Sequence, residues 1–192
     1  MNISDLKHNF KSKYDSVFLA EDGQQEVYEF VKEAPEKILQ GFNCTIFAYG
    51  QTGSGKTFTM FGPESNHLNY NEKKGGFDKE LLGITPRAIQ GVFSKIQATG
   101  TKCTIYCSFL QIYNEKLYDL LQDINHTNPL NVREDKYTGI YVDGLTEYVV
   151  TNMKDCLLLL KRGEKNRVKR STKMNISSSR SHSIFQLLIE TD

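Results

Sequence analysis

An α/β domain with a central mixed, mostly parallel sheet flanked by helices is what the sequence predicts, and three observations predict it. Strand-like runs alternate with helix-like ones along the 192 residues, the pattern that sets helices on the faces of a sheet. The run CTIFAY at 44–49 is apolar and β-branched without polar alternation, as in a strand covered on both faces. A glycine-rich turn follows that run and leads into a helical stretch. No repeat, linker or low-complexity tract interrupts the chain, so 1–192 reads as one domain.

Taken in order, the elements begin with a helix over 23–40. Asp22 is its expected N-cap, with Gln25 three residues on, and Gly41 stands at the C-cap. Val27, Phe30, Val31, Ala34 and Ile38 recur at helical spacing, and Pro35 is expected to kink or split the helix. After the CTIFAY strand, a helix starts at Lys56. The stretch 62–82, with Pro63, Gly75 and Gly76, reads as a long surface loop. A helix over 85–97 and a strand over 102–113 come next. Residues 131–150 read as two strands with a turn at Thr138 and Gly139. Thr151 caps a helix through 155–163, and 183–190 forms a last strand.

Composition excludes several functions. Hydrophobic residues make up 39% and charged residues 24%, as in an ordinary globular protein. Lys+Arg 24 against Asp+Glu 23 leaves a net charge of +1, so no global attraction to nucleic acid or to a membrane surface is expected. Apolar runs such as 156–160 are too short to span a bilayer, and the N-terminus lacks a secretory apolar region. A cytosolic location follows as the expectation. Cys44, Cys103, Cys107 and Cys156 form no Cys-x-x-Cys pair, and the strand places 103 and 107 on one face as small buried thiols. His8, His67, His126 and His182 share no metal or acid–base spacing.

The chemistry begins at Gly50-Gln51-Thr52-Gly53-Ser54-Gly55-Lys56-Thr57, which matches G-x-x-x-x-G-K-[ST] at every fixed position. Glycines let backbone N–H groups curl around phosphate oxygens without Cβ clashes. Lys56 supplies a point charge to the β- and γ-phosphates, and the Thr57 hydroxyl is suited to Mg2+. The motif predicts a P-loop nucleotide site. A guanine-reading N-K-x-D is absent from the sequence.

The wider string IFAYGQTGSGKTFTM at 46–60 resembles the P-loop segment of kinesin motor domains. YDSVF at 14–18, GITPR at 83–87, SFLQIYNEKLYDLL at 108–121 and NISSSRSH at 175–182 resemble further blocks of that family, in its order. The resemblance covers nearly the whole chain and implies an incomplete kinesin motor fold, running from the P-loop through the first switch region.

That resemblance implies a motor ATPase that hydrolyses Mg-ATP and moves along microtubules in the cytoplasm. Asn175 would contact the γ-phosphate, and Ser178 and Ser179 would position the attacking water and Mg2+. Arg180 would pair with an acidic residue of the second switch. SFLQIYNEKLYDLL is similar to the family's strand followed by a helix. Arg133 and Lys136 resemble a secondary tubulin-contacting loop. Within 161–173, seven basic residues face one acid, Glu164; the plain reading is a solvated helix end, the other a role near the nucleotide or on tubulin. The sequence departs from the family pattern in lacking the D-x-x-G second switch, an R-x-R-P segment and the C-terminal helices. Little or no turnover by these residues alone is therefore expected, leaving a nucleotide- or tubulin-binding fragment as the alternative. Dimerisation is left to segments outside the chain.

Overall fold

The computed structural model describes residues 2–5, 8–63, 79–123, 128–137, 139–173 and 181–191. Its elements run β1 (Asn2–Asp5), β2 (His8–Lys11), α1 (Gln24–Val31), α2 (Glu33–Glu36), α3 (Lys56–Phe61), α4 (Ile84–Thr99), β3 (Cys103–Tyr113), β4 (Lys116–Asp119), β5 (Asn131–Asp135), β6 (Gly139–Asp143), β7 (Tyr148–Val150), α5 (Met153–Lys173) and β8 (Ser181–Thr191).

The helix expected over 23–40 is split as Pro35 requires. Its ring crowds the carbonyl of residue 31 and it has no N–H to return there, so α1 stops at Val31 and α2 restarts at Glu33. A 3-10 turn, Lys37–Gln40, follows, and Gly41 closes it at φ 86. The N-cap moves by one residue. Gly23 occupies it, with its N–H donating to the Glu26 carboxylate at 2.9 Å. Asp22 instead accepts the N–H of Leu19. At α5 the capping side chain is Asn152, one residue past the expected Thr151; it accepts the Asp155 N–H at 3.0 Å.

The central sheet is ordered β4-β3-β7, with β8 also paired to β3. Here two expectations are corrected. Every described strand pair is antiparallel, so the mostly parallel arrangement is not found among the described residues. The CTIFAY run has no regular secondary structure, and Phe47 and Tyr49 are 80% and 95% exposed. A strand persists only where neighbours take its N–H and C=O groups, and no described strand pairs with 44–50. The expected strand at 44–49 therefore has no strand partner among the described residues.

A third correction concerns NEKLYDLL. Asn114 and Glu115 lie at φ 47 and 63, the two left-handed residues of a tight hairpin turn. β4 therefore folds back on β3, Tyr113 opposite Lys116 and Leu110 opposite Asp119. Asp119 is buried, with its carboxylate accepting the N–H groups of Leu121 at 2.6 Å and Thr146 at 2.8 Å. β5 and β6 form the expected hairpin apart from the sheet.

One face of β3 carries Ile105, Cys107 and Phe109, all buried with Phe61 of α3, Ile89 of α4 and Cys156, Leu157 and Leu160 of α5. Phe109 contacts Phe61 and Phe185 edge-on, at centroid distances of 6.5 and 5.6 Å. The helix expected to stop near Gly163 runs on to Lys173. Gly163 lies inside it because the Phe109 ring fills the space where a Cβ would stand.

All four cysteines are free thiols. A hydrogen bond to Cys156, then burial, hold the Cys107 thiol far above the ordinary thiol range. Folded Cys107 therefore keeps its proton while the unfolded chain loses it near pH ~8.5. Its contribution to stability is complete below that pH. As pH rises further, stability should fall by up to ~1.4 kcal/mol per unit until the folded thiol ionises. Tyr28, raised first by burial and then by Glu36 and Glu29, adds a further loss only above pH ~10. Urea unfolding at rising alkaline pH is expected to show the decline in the native chain and a shallower one in Cys107→Ala. Parallel profiles would refute this account.

Candidate phosphate-binding site

The turn between residues 49 and 56 is made by glycine geometry. Gly53 and Gly55 lie at φ 81 and 87, and a Cβ at either would meet nothing within 4 Å. Their requirement is conformational, since other L-residues rarely enter that region. Gly50 is different, because a Cβ there would stand 2.6 Å from Ser54 Oγ. Within the loop, the Ser54 N–H donates to the Gln51 carbonyl at 3.2 Å.

Lys56 opens α3, as the motif requires, and its side chain turns back over the loop. Its Nζ donates to the carbonyls of Gly50 at 2.8 Å and Gln51 at 2.7 Å. The amine is held at the mouth of the turn by two bonds open to solvent. Residues 50–55 are exposed and Lys56 and Thr57 are half-buried. A Cβ-free cradle with a cation over it fits a polyanionic phosphate tail. A rigid multi-carboxylate metal site is not formed: among the described residues no group of three His, Cys, Asp or Glu could hold a metal ion.

Neighbours fix α3 in place. Buried Gln24 of α1 donates its side-chain N–H to the Phe58 carbonyl at 2.7 Å. Arg87 of α4 donates to the Leu82 carbonyl at 2.7 Å, to the Glu80 carbonyl at 3.3 Å and to Gln25 Oε1. Burial lowers the pKa of that guanidinium. Gly83, the N-cap of α4, brings two backbones into contact: a Cβ there would stand 2.6 Å from the Met60 carbonyl carbon and the Phe61 nitrogen. The Gly83→Ala substitution should therefore push α3 and the loop away. A loss of about 1–3 kcal/mol is expected, together with weaker nucleotide binding, read by urea unfolding and nucleotide titration. Wild-type stability and affinity would contradict the close approach.

Gln24, Arg87 and Gly83 are support residues that the motif did not single out. Gln24 carried no signal beyond its place near a helix start. Arg87 and Gly83 lay in the GITPR block without an assigned task. Of the sequence candidates, Gly50, Gln51, Thr52, Gly53, Ser54, Gly55, Lys56 and Thr57 are brought together in one turn. Asn175, Ser178, Ser179 and Arg180 lie outside the described residues, as does Asp192.

The basic stretch 161–173 divides in two. Lys161, Arg162 and Lys165 are exposed on α5. Arg167 makes a two-pronged ion pair with Glu164, Nη2 to Oε2 at 2.8 Å and Nε to Oε1 at 3.0 Å, in a mostly buried setting. The Arg170 guanidinium lies over the Tyr118 ring at 4.4 Å. Burial lowers its pKa, opposed by Tyr118 and Asp119. The Arg167 pair lies within α5, whereas Arg170 packs α5 onto β4, which neither sequence reading anticipated. Arg133 pairs with Asp143 at 2.6 Å across the exposed β5–β6 hairpin.

A family model described as the kinesin motor domain matches residues 2–192. Kinesin-related protein 5 of Dictyostelium discoideum is 44% identical over 92% of this chain and 17% of its own length. Kinesin-like protein 3 of Schizosaccharomyces pombe is 39% identical over 100% of this chain and 32% of its own. A solved structure of a fast kinesin, described for its ATPase mechanism and interactions with microtubules, superposes with a TM-score of 0.81 at 35% identity. That match covers 95% of this chain and 48% of the solved one, so the chain spans about half of that structure and a smaller share of the curated relatives.

Proposed function

The chain belongs to the kinesin motor-domain family and has its P-loop NTPase fold; from that premise we propose that it binds Mg-ATP in the 50–57 loop as the nucleotide-handling part of a microtubule motor. The observation that carries this reading is the Lys56 amine held over the Gly50 and Gln51 carbonyls. An anion entering the turn can take over those donor hydrogens, exchanging neutral acceptors for charged ones.

In this reading residues 1–192 are part of a motor domain. Lys56 binds the β- and γ-phosphates, and backbone N–H groups of the glycine turn bind their oxygens. Thr57 would offer its hydroxyl to Mg2+, which when bound would supply charge neutralisation at the phosphates. Asn175 contacts the γ-phosphate, Ser178 and Ser179 orient water and the ion, and Arg180 holds the switch through an acidic partner. The chain contributes position and charge, with no covalent intermediate. Microtubules are the partner, and a cytoplasmic, cytoskeletal location goes with them.

Two measurements separate this from its alternative. A fluorescent ATP analogue titrated into the full chain with Mg2+ should bind saturably and be displaced by ATP; absence of saturable binding would overturn the proposal. Phosphate release with microtubules then tests turnover. No described strand pairs with the 44–50 segment leading into the loop, which favours slow turnover by this chain, so binding without stimulated hydrolysis is the expected pair of results.

A further inference from the structure

The structure assigns Gln24 as a positioning residue for the nucleotide-bound Mg2+: from α1 it fixes the backbone of α3, and with it the Thr57 hydroxyl. The assignment rests on the reading of 50–57 as a Mg-ATP site and deepens it. Gln24 opens α1 and is 6% exposed. Its side-chain N–H donates to the Phe58 carbonyl of α3 at 2.7 Å. That carbonyl already accepts the Gly62 N–H at 2.8 Å. The bond from Gln24 therefore fills no vacancy in α3; it ties that helix to α1. Apolar packing alone would be better served by a methionine, since burying an amide costs free energy unless it is bonded.

α3 needs such a tie. It has six residues, and a helix this short is marginal by itself in water. Two other contacts act at its far end: Phe61 is packed in the core, and Gly83 approaches the backbone of residues 60–62. Gln24 takes hold closer to the loop, at the residue after Thr57. Gln25, next along α1, is committed elsewhere. It accepts from Arg87 of α4 and donates to Glu29 at 2.5 Å. Adjacent glutamines thus do separate work, one toward α3 and one toward α4.

Lys56 and Thr57 respond differently to a shift of α3. A lysine amine ends a flexible four-carbon stem and can re-aim itself. A threonine hydroxyl sits on the Cβ of a residue stiff at χ1, so it moves with the backbone. A Mg2+ ligand is accepted only in near-ideal octahedral geometry. Loss of the Gln24 bond is therefore felt through Thr57 and the ion, and much less through the contact of Lys56 with phosphate.

Titration of a fluorescent ATP analogue into the full chain, in Mg2+ and again in EDTA, tests this beside urea unfolding. Gln24→Met is close in size and has no donor. It should weaken binding ~3–10-fold in Mg2+, one neutral hydrogen bond's worth, and less than ~2-fold in EDTA. Gln24→Asn, whose amide stops a methylene short, should show the same split and stands in if the methionine variant folds poorly. Gln25→Met removes a bond of the same turn and should leave the ratio of the two affinities at its native value. In a Thr57→Val background Gln24→Met should cost little further in Mg2+, because the two residues act as one unit. Equal losses in Mg2+ and EDTA, native affinity of the Gln24 variants in Mg2+, or a full effect in the Thr57→Val background would each overturn the assignment. All three leave nucleotide binding by the loop standing. A native chain without saturable binding sinks the Mg-ATP reading itself, so the two failures are told apart.

Discussion

Lys56→Ala is expected to weaken Mg-ATP binding by about 100-fold or more, the two lost charge-assisted bonds being worth ~1.5–3 kcal/mol each. The amine is one of the cations the motif directs to phosphate, and the only one inside the 50–57 loop. Its present acceptors are the Gly50 and Gln51 carbonyls. Both lie in the exposed part of the turn, where water replaces the lost donors. Folding stability should consequently change by less than ~1 kcal/mol. Affinity and stability thus separate, which distinguishes loss of a ligand contact from loss of the fold. Competition titration with ATP against a thermal melt reads both. An affinity within threefold of the native chain would remove the basis for assigning the phosphate site to this loop.

A Gly163→Ala substitution is expected to destabilise the chain by about 2 kcal/mol or more, against the direction helix propensity predicts. In an exposed helix interior the change would stabilise by ~1 kcal/mol. Here the added Cβ would stand 2.1 Å from Phe109 Cδ1 and 2.7 Å from Cε1. Phe109 cannot retreat, because it is fully buried between Phe61 and Phe185. Either the helix lifts or the ring leaves its place, and overpacking of this kind costs ~1–3 kcal/mol on top of the forfeited propensity. Phe109→Leu in the same chain should recover part of the loss, since the smaller side chain vacates the site. Urea unfolding of the two single variants and the double variant gives the coupling energy. A stabilised Gly163→Ala, or additive effects, would show that the helix does not approach the sheet as closely as it does here.

Much of the fold was legible. Helical spacing and Pro35 located the first helix and its break, because proline acts through its own missing N–H and its ring. The strand over 102–113 and the last strand were readable from apolar runs with turn signals at their ends. The 50–57 glycine loop was the clearest feature, since its glycine and lysine requirements are local to eight consecutive positions. What escaped was pairing. CTIFAY has the composition of a buried strand, yet composition does not supply neighbours for its backbone groups. NEKLYDLL was assigned a helix by resemblance, whereas Asn114 and Glu115 at positive φ turn it into a hairpin.

The supporting residues were hidden for a related reason. Gln24 holds α3 at Phe58 and Arg87 reaches Gln25, each from a helix distant in sequence, and Gly83 matters only because two backbones touch. Arg170 looks like a solvated charge in a basic run, but α5 turns it onto the distant Tyr118. Short-range demands are written in adjacent residues: which φ a turn needs, where a lysine can reach, where a helix must break. The amino-acid sequence by itself determined those. Tertiary structure alone decided which strands found partners, which charges were buried and which glycine faces a ring, because each depends on a contact between segments far apart along the chain.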